Sequence, residues 1–300
     1  MDWVERISGI KRWSRGGYRA PHKPLLILYA LGRFQARGDE PIPYRTAEEH
    51  LKRLLDEFGP STGSTPAYPF HHLTNDGLWI VDTAQDRGSP GPYVTRLRES
   101  DARGRLAPEL VAALRDDPQL LAQIARSLLD ANFAPSLHAD ICMLAGLRLE
   151  AVEVPAQGAQ QHSGEPRDPA FRDGVLVAYE YQCAFCGYDG WLDRTSVGLE
   201  AAHVQWWAFG GPDRMGNGLC LCSLHHKLFD KGVLGLTDEH AITVSVKFVG
   251  RSSSAEDLVL ALNGRPAIAP QAGFPTVELE RIEWHRRQVF REPARHATAA

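Results

Sequence analysis

Two short chelating pairs constrain this chain more than any other feature. Cys183 and Cys186 form a C-x2-C pair, and Cys222 and His225 form a C-x2-H pair. Ligands three residues apart on a tight turn reach one ion without strain, and two such pairs complete a tetrahedral Zn2+ shell. A complete shell leaves no position for substrate, so this zinc is expected to brace a small domain and to take no part in chemistry. The start, MDWVERISGIKRW, carries no apolar signal stretch. No run of about 18 apolar residues suggests a membrane span. A cytoplasmic, reducing location is therefore expected, where cysteines at this spacing favour metal over disulfides. Cys142 lies in an apolar segment and reads as a buried small hydrophobe. Cys220 alternates with Cys222 and is expected to face the core.

Inside the zinc frame lie His203, Asn217 and His226. Phosphodiester hydrolysis needs a base of near-neutral pKa to activate water, which suits histidine. It also needs a divalent cation to absorb charge on the phosphate and the leaving oxygen. His226, beside zinc ligand His225, is placed to hold that cation. Asn217 can orient His203 or pin the turn between strand and helix. The text C-A-F-C, L-E-A-A-H-V and N-G-L-C-L-C-S-L-H-H-K-L-F-D-K-G, over residues 183–232, closely resembles the HNH (ββα-metal) endonucleases. The resemblance implies His203 as general base, Asn217 as site organiser and His226 as ligand of a catalytic Mg2+, Mn2+ or similar ion. Many members carry a metal ligand directly before the first histidine. Here that position is Ala202, and Glu200 on the same strand face is the nearest substitute.

The length of 300 residues suits about two domains, and the pattern suggests α+β architecture. Residues 1–150 read as one α+β unit, 151–168 as a Gln/Gly/Pro linker, and 169–300 as the second unit. Helices are predicted over Pro24–Arg37 (ended by Gly38), Thr46–Phe58 (capped by Thr46), Pro108–Phe133, Ser136–Leu147, Pro169–Tyr181 and Val277–Phe290. Tyr68–Asp82 reads as two strands around an Asn-Asp-Gly turn, and Leu199–Val204 and Ala241–Phe248 read as strands. Asn217 is expected to open a helical turn running into His225–Asp230.

The net charge of −4 does not announce a nucleic-acid binder. The segment Lys11–Lys23, however, has five bases (Lys11, Arg12, Arg15, Arg19, Lys23) and no acid, a local phosphate footprint or a solvated face. A Tyr-Pro pair at Tyr68-Pro69 offers a rigid apolar surface, better suited to a soft, poorly hydrated atom than to a charged oxygen. The stretches Y-R-A-P-H-K-P-L-L-I-L from Tyr18 and Y-P-F-H-H-L from Tyr68, with N-D-G-L-W from Asn75, resemble the sulfur-binding domain of phosphorothioate-dependent type IV restriction endonucleases, in which that domain precedes an HNH domain.

The resemblance implies binding to double-stranded DNA in which a sulfur replaces a non-bridging phosphate oxygen. Tyr68 and Pro69 would line the sulfur cavity, with His72 at its wall where relatives carry a small residue. Tyr18 and Arg19 would contact phosphate or a base edge, and Arg96 would be a further DNA contact. His22 reads as structural. One HNH site cuts one strand, so a double-strand break calls for a homodimer or two visits. Two alternatives stay open at this point: an HNH enzyme reading another mark such as a methylated base, and a zinc-stabilised DNA-binding protein without catalysis.

Overall fold

In the computed structural model, described for residues 2–11, 14–15, 18–59, 65–85, 88–148, 168 and 170–296, the chain forms two compact units, Met1–Ala159 and Gln160–Ala300. The expected linker, 151–168, lies outside the described residues except for Asp168, as do Arg12, Trp13 and the side chain of Tyr18.

The first unit is built around the helix His22–Arg37. Its residues from Pro24 to Gly32 are all buried, as a helix apolar on every side must be. Gly38 ends it in the left-handed region (φ 65°), as its position suggested. Gly32 lets the helix His138–Ala145 approach, since a Cβ there would sit 2.1 Å from the Ala145 carbonyl oxygen. The second helix begins earlier than predicted, at Tyr44, with Pro43 as its cap. Thr46 is therefore inside the helix and caps nothing.

The Tyr68–Asp82 reading needs correction. Ala67–His72 is a helix, followed by a 3-10 turn over Leu73–Asp76. Pro69 falls in the first helical turn, where a missing N–H costs no hydrogen bond and the fixed φ suits the helix. The Asn-Asp-Gly turn exists, with Gly77 at φ 67°, but it leads from helix into strand Trp79–Asp82. That strand pairs with Arg103–Leu106, which in turn pairs with Ile42–Pro43. Arg103–Leu106 was not anticipated, being a short strand with two arginines. The predicted helix Pro108–Phe133 is two helices, Pro108–Asp116 and Leu120–Asp130. Asp117, before Pro118, takes an extended conformation (φ −122°, ψ 101°) because proline disfavours a helical predecessor. Ser136–Leu147 likewise shortens to His138–Ala145 after a 3-10 turn.

In the second unit, helix Ala170–Ala178 packs on the antiparallel pair Leu199–His203 and Gly218–Cys222, and helix Ser223–Asp230 follows directly. This is a ββα arrangement. Asn217 does not open a helix: it ends the 3-10 turn Met215–Asn217, and the alternating Gly-Leu-Cys-Leu-Cys segment then pairs as a strand. The register sets His203 opposite Gly218 and Leu199 opposite Cys222. Phe171, Val175, Leu199, Ala202, Leu219, Leu221 and Phe229 are buried in one core with Cys220, which faces inward as expected. Strand 241–248 and helix 277–290 are shorter than predicted, Ile242–Val244 and Leu279–Gln288.

Candidate functional site

The two chelating pairs meet. The ligand atoms of Cys183, Cys186, Cys222 and His225 all lie within 4.8 Å of one another. Nδ1 of His225 is 3.4 Å from the Cys183 sulfur and 3.3 Å from the Cys222 sulfur. Around a tetrahedral zinc with bonds of about 2.0–2.3 Å, such atoms sit about 3.6–3.8 Å apart. The other ring nitrogen, Nε2, is 2.8 Å from the Leu258 carbonyl. A carbonyl only accepts, so Nε2 carries a proton and Nδ1 is the nitrogen that faces the sulfurs and would meet a metal. Hydrogen bonds from Cys186 and Cys222 favour the thiolate of Cys183 and drive its pKa far down, while Cys186, the donor, is driven up. Burial alone would lower the pKa of His225, but its bonds to Cys183 and Cys222 outweigh this and raise it to about 10. Three sulfurs and one imidazole sharing protons this closely form a donor set suited to a divalent metal, which replaces those protons.

His203 ends its strand with its ring stacked on Phe171, centroids 4.3 Å apart. Its Nε2 meets Oδ1 of Asp213 at 2.6 Å. The Asp213 side chain is 8% exposed, and its other oxygen accepts the Asp168 N–H at 2.6 Å. Asn217 is fully buried. Its side chain bonds to Gln205 and to the Pro212 carbonyl. These bonds tie Asn217 to the loop that joins strands Leu199–His203 and Gly218–Cys222. Gly211 is needed in that loop, since a Cβ there would lie 1.8 Å from the Gln205 carbonyl oxygen.

His226 lies between two carboxylates. Nδ1 is 2.6 Å from Glu200 and Nε2 is 3.1 Å from Asp230. Asp230 is almost fully buried and also accepts the Trp206 indole N–H at 2.8 Å. Burial opposes charge on His226, but the Asp230 and Glu200 carboxylates prevail and raise its pKa to about 10. The hydrogen bond from His226 in turn holds Glu200 near 2. Asp213 and Asp230 were missed in the sequence. Asp230 had a readable signal, its i,i+4 spacing from His226 on a helix. Asp213 had none, because it lies on an irregular loop.

In the first unit, Tyr68 is 54% exposed, Pro69 is buried and His72 is half-buried. The rings of Tyr68 and His72 pack at 4.7 Å, and those of His71 and His72 at 4.8 Å. Burial lowers the pKa of both histidines, with neighbouring His72 adding to the effect on His71 and Lys23 to that on His72. Both shifts favour the neutral imidazoles beside the Tyr68 ring. Lys23 itself is paired with Asp76 at 2.5 Å. Arg19 is half-buried on strand Tyr18–Arg19. Arg96 is exposed, its guanidinium 4.9 Å from the Tyr93 ring centroid. Burial pushes His22 down to about 4, in keeping with a structural role.

The sequence models agree with this division. The family model "HNH endonuclease" matches residues 183–237, so the second unit, with its ββα arrangement around His203, carries an HNH nuclease domain. The model "ScoMcrA-like, DNA sulfur-binding domain" matches residues 1–151. The chain belongs to this ScoMcrA-like sulfur-binding family. Among solved structures, it is similar to the sulfur-binding domain of ScoMcrA complexed with phosphorothioated DNA: 25% identity, TM-score 0.43, covering 51% of this chain and 99% of that one. The ScoMcrA sulfur-binding and SRA domains with the same kind of DNA match at 24% identity and TM-score 0.45, over 67% and 59% of the two chains. The type IV phosphorothioation-dependent restriction endonuclease ScoMcrA matches at 24% and 0.40, over 60% and 33%. This chain therefore spans about a third of that enzyme. No curated protein matches the chain. Among the described residues, no helix is long and apolar enough to cross a membrane.

Proposed function

We propose that this chain is a restriction endonuclease that binds phosphorothioated double-stranded DNA through its first unit and hydrolyses a nearby phosphodiester through its second. The observation that carries the reading is the union, in one chain, of a sulfur-binding domain over residues 1–151 and an HNH domain over 183–237. Tyr68, Pro69 and His72 line the sulfur site, Tyr18 and Arg19 hold the flanking backbone or a base edge, and Arg96 adds a phosphate contact. Sulfur is larger and less strongly hydrated than oxygen, so a neutral aromatic surface accepts it at a smaller desolvation cost.

In the second unit, His203 is the general base. It takes a proton from water, the water oxygen bonds to phosphorus, the bond to the leaving oxygen breaks, and that oxygen takes a proton from solvent. Asn217 holds the loop that flanks His203. Glu200 and, once it gives up a proton, His226 would hold a divalent ion such as Mg2+ or Mn2+, and Cys183, Cys186, Cys222 and His225 would hold the bracing zinc. A divalent cation bound there would supply charge stabilisation for the phosphate and the leaving oxygen. Two cuts, by a homodimer or by successive visits, make a double-strand break. The test is cleavage of matched phosphorothioated and unmodified duplexes with Mg2+ or Mn2+. Selective cutting of the modified duplex supports the reading, and equal cutting of both removes it.

A further inference from the structure

We infer that Asp213 is a positioning residue for the general base, fixing which nitrogen of His203 takes the proton from water. This rests on the reading of His203 as general base. An ionised carboxylate is acceptor-only, so the 2.6 Å contact between Asp213 Oδ1 and His203 Nε2 places the ring proton on Nε2. The lone pair is then on Nδ1, and Nδ1 is the atom that receives the proton. When it does, the imidazolium is stabilised by the carboxylate already in contact with it, without reorganisation of solvent.

Two further contacts make this a built arrangement. Phe171 stacks on the imidazole at 4.3 Å with the planes 24° apart, so the ring is held on its face as well as at its edge. Asp213 is itself anchored: Oδ2 accepts the Asp168 N–H at 2.6 Å, and Asn217 donates to the carbonyl of neighbouring Pro212 at 3.0 Å. A line of hydrogen bonds and one peptide link therefore runs from buried Asn217 through Pro212 and Asp213 to His203. It gives the asparagine a path to the base that needs no direct contact. Arg172, the neighbour of Phe171, directs its guanidinium to the Leu199 carbonyl at 3.4 Å.

The test uses the whole 300-residue chain and reads His203 directly. In wild-type protein with ring-15N histidine, His203 should appear as the Nε2–H tautomer. Asp213→Asn should mix or reverse the tautomers, since its carboxamide can donate as well as accept. It should also lower kcat on cleavable DNA by about a hundredfold, the scale of general-base contributions, with KM and DNA affinity unchanged. Asp213→Glu should recover part of kcat. A wild-type ring protonated on Nδ1 would overturn the proposal even if the variant failed to fold. So would an Asp213→Asn enzyme with wild-type kcat. Failure of the sulfur reading is distinguishable, because it alters which duplex is cut and leaves the tautomer of His203 as it is.

Discussion

Asn217 grips Gln205 by both of that residue's backbone groups: its Oδ1 accepts the Gln205 N–H at 2.8 Å, and its Nδ2 donates to the Gln205 carbonyl at 3.0 Å. With the bond to Pro212, the acceptor and both donor hydrogens of the carboxamide are engaged. Only Asn fits, because Asp lacks donors and Gln is longer. Asn217→Ala should cost the second unit about 2–4 kcal/mol, the scale for losing a buried hydrogen-bond network, and Asn217→Asp at least as much. Thermal unfolding and DNA nicking measured on both variants check this. Unchanged stability in Asn217→Asp would refute the pinning role.

The metal prediction concerns Cys183, Cys186, Cys222 and His225. Elemental analysis should find zinc, and stripping it should unfold the second unit, since structural zinc contributes on the order of 10 kcal/mol to small domains. Cys186→Ser should do the same more mildly. The unfolding transition of the first unit, which has its own core, should persist in both cases. Loss of both transitions on chelation would contradict the separate roles.

His285 sets an acid limit on the second unit. It is fully buried against Phe229, with centroids 3.7 Å apart, and burial lowers its pKa from the ordinary 6.5 to about 4. The unfolded chain therefore takes up a proton that the folded one refuses. This group leaves stability intact above about pH 6.5 and erodes it as pH falls toward 4, by on the order of 1–3 kcal/mol. Denaturant melts across that range should show the slope, and His285→Phe should flatten it.

Gly32→Ala should destabilise the first unit by roughly 1–3 kcal/mol, the usual cost of overpacking. The added Cβ would fall 2.1 Å from the backbone oxygen of Ala145, which has no flexible side chain to yield. Calorimetry of the first transition reads the loss.

Tyr68→Ala should reduce the preference for phosphorothioated over unmodified duplex, by about tenfold or more, and affect unmodified binding little. Titration of both duplexes gives the ratio. An unchanged ratio would place the sulfur elsewhere.

Much of the second unit was legible because its signals are local. Two ligand pairs with two-residue gaps depend on spacing along the chain, and spacing is what a sequence records. The helix Pro24–Arg37 and its glycine stop were legible for the same reason. Errors arose where neighbours in space decide. Tyr68-Pro69 looks like a strand opening until Pro69 is seen in a first helical turn. Thr46 looks like a cap until the Tyr44 N–H is found bonded to the Ala102 carbonyl at 2.8 Å. Strand Arg103–Leu106 is short and charged, and it is a strand because Trp79–Asp82 and Ile42–Pro43 pair with it.

By itself the sequence determined which residues are chemically able to act: the thiolate ligands, the two imidazoles, the carboxamide, and the order of the two units. Tertiary structure decided what each imidazole faces. His203 meets Asp213, ten residues on across an irregular loop, and His226 bridges Glu200, from the strand that ends in His203, and Asp230 from its own helix. The contacts of His226 set its protonation state, because the field at a buried ring falls off within a few ångströms and depends on atoms close in space, whatever their separation along the chain.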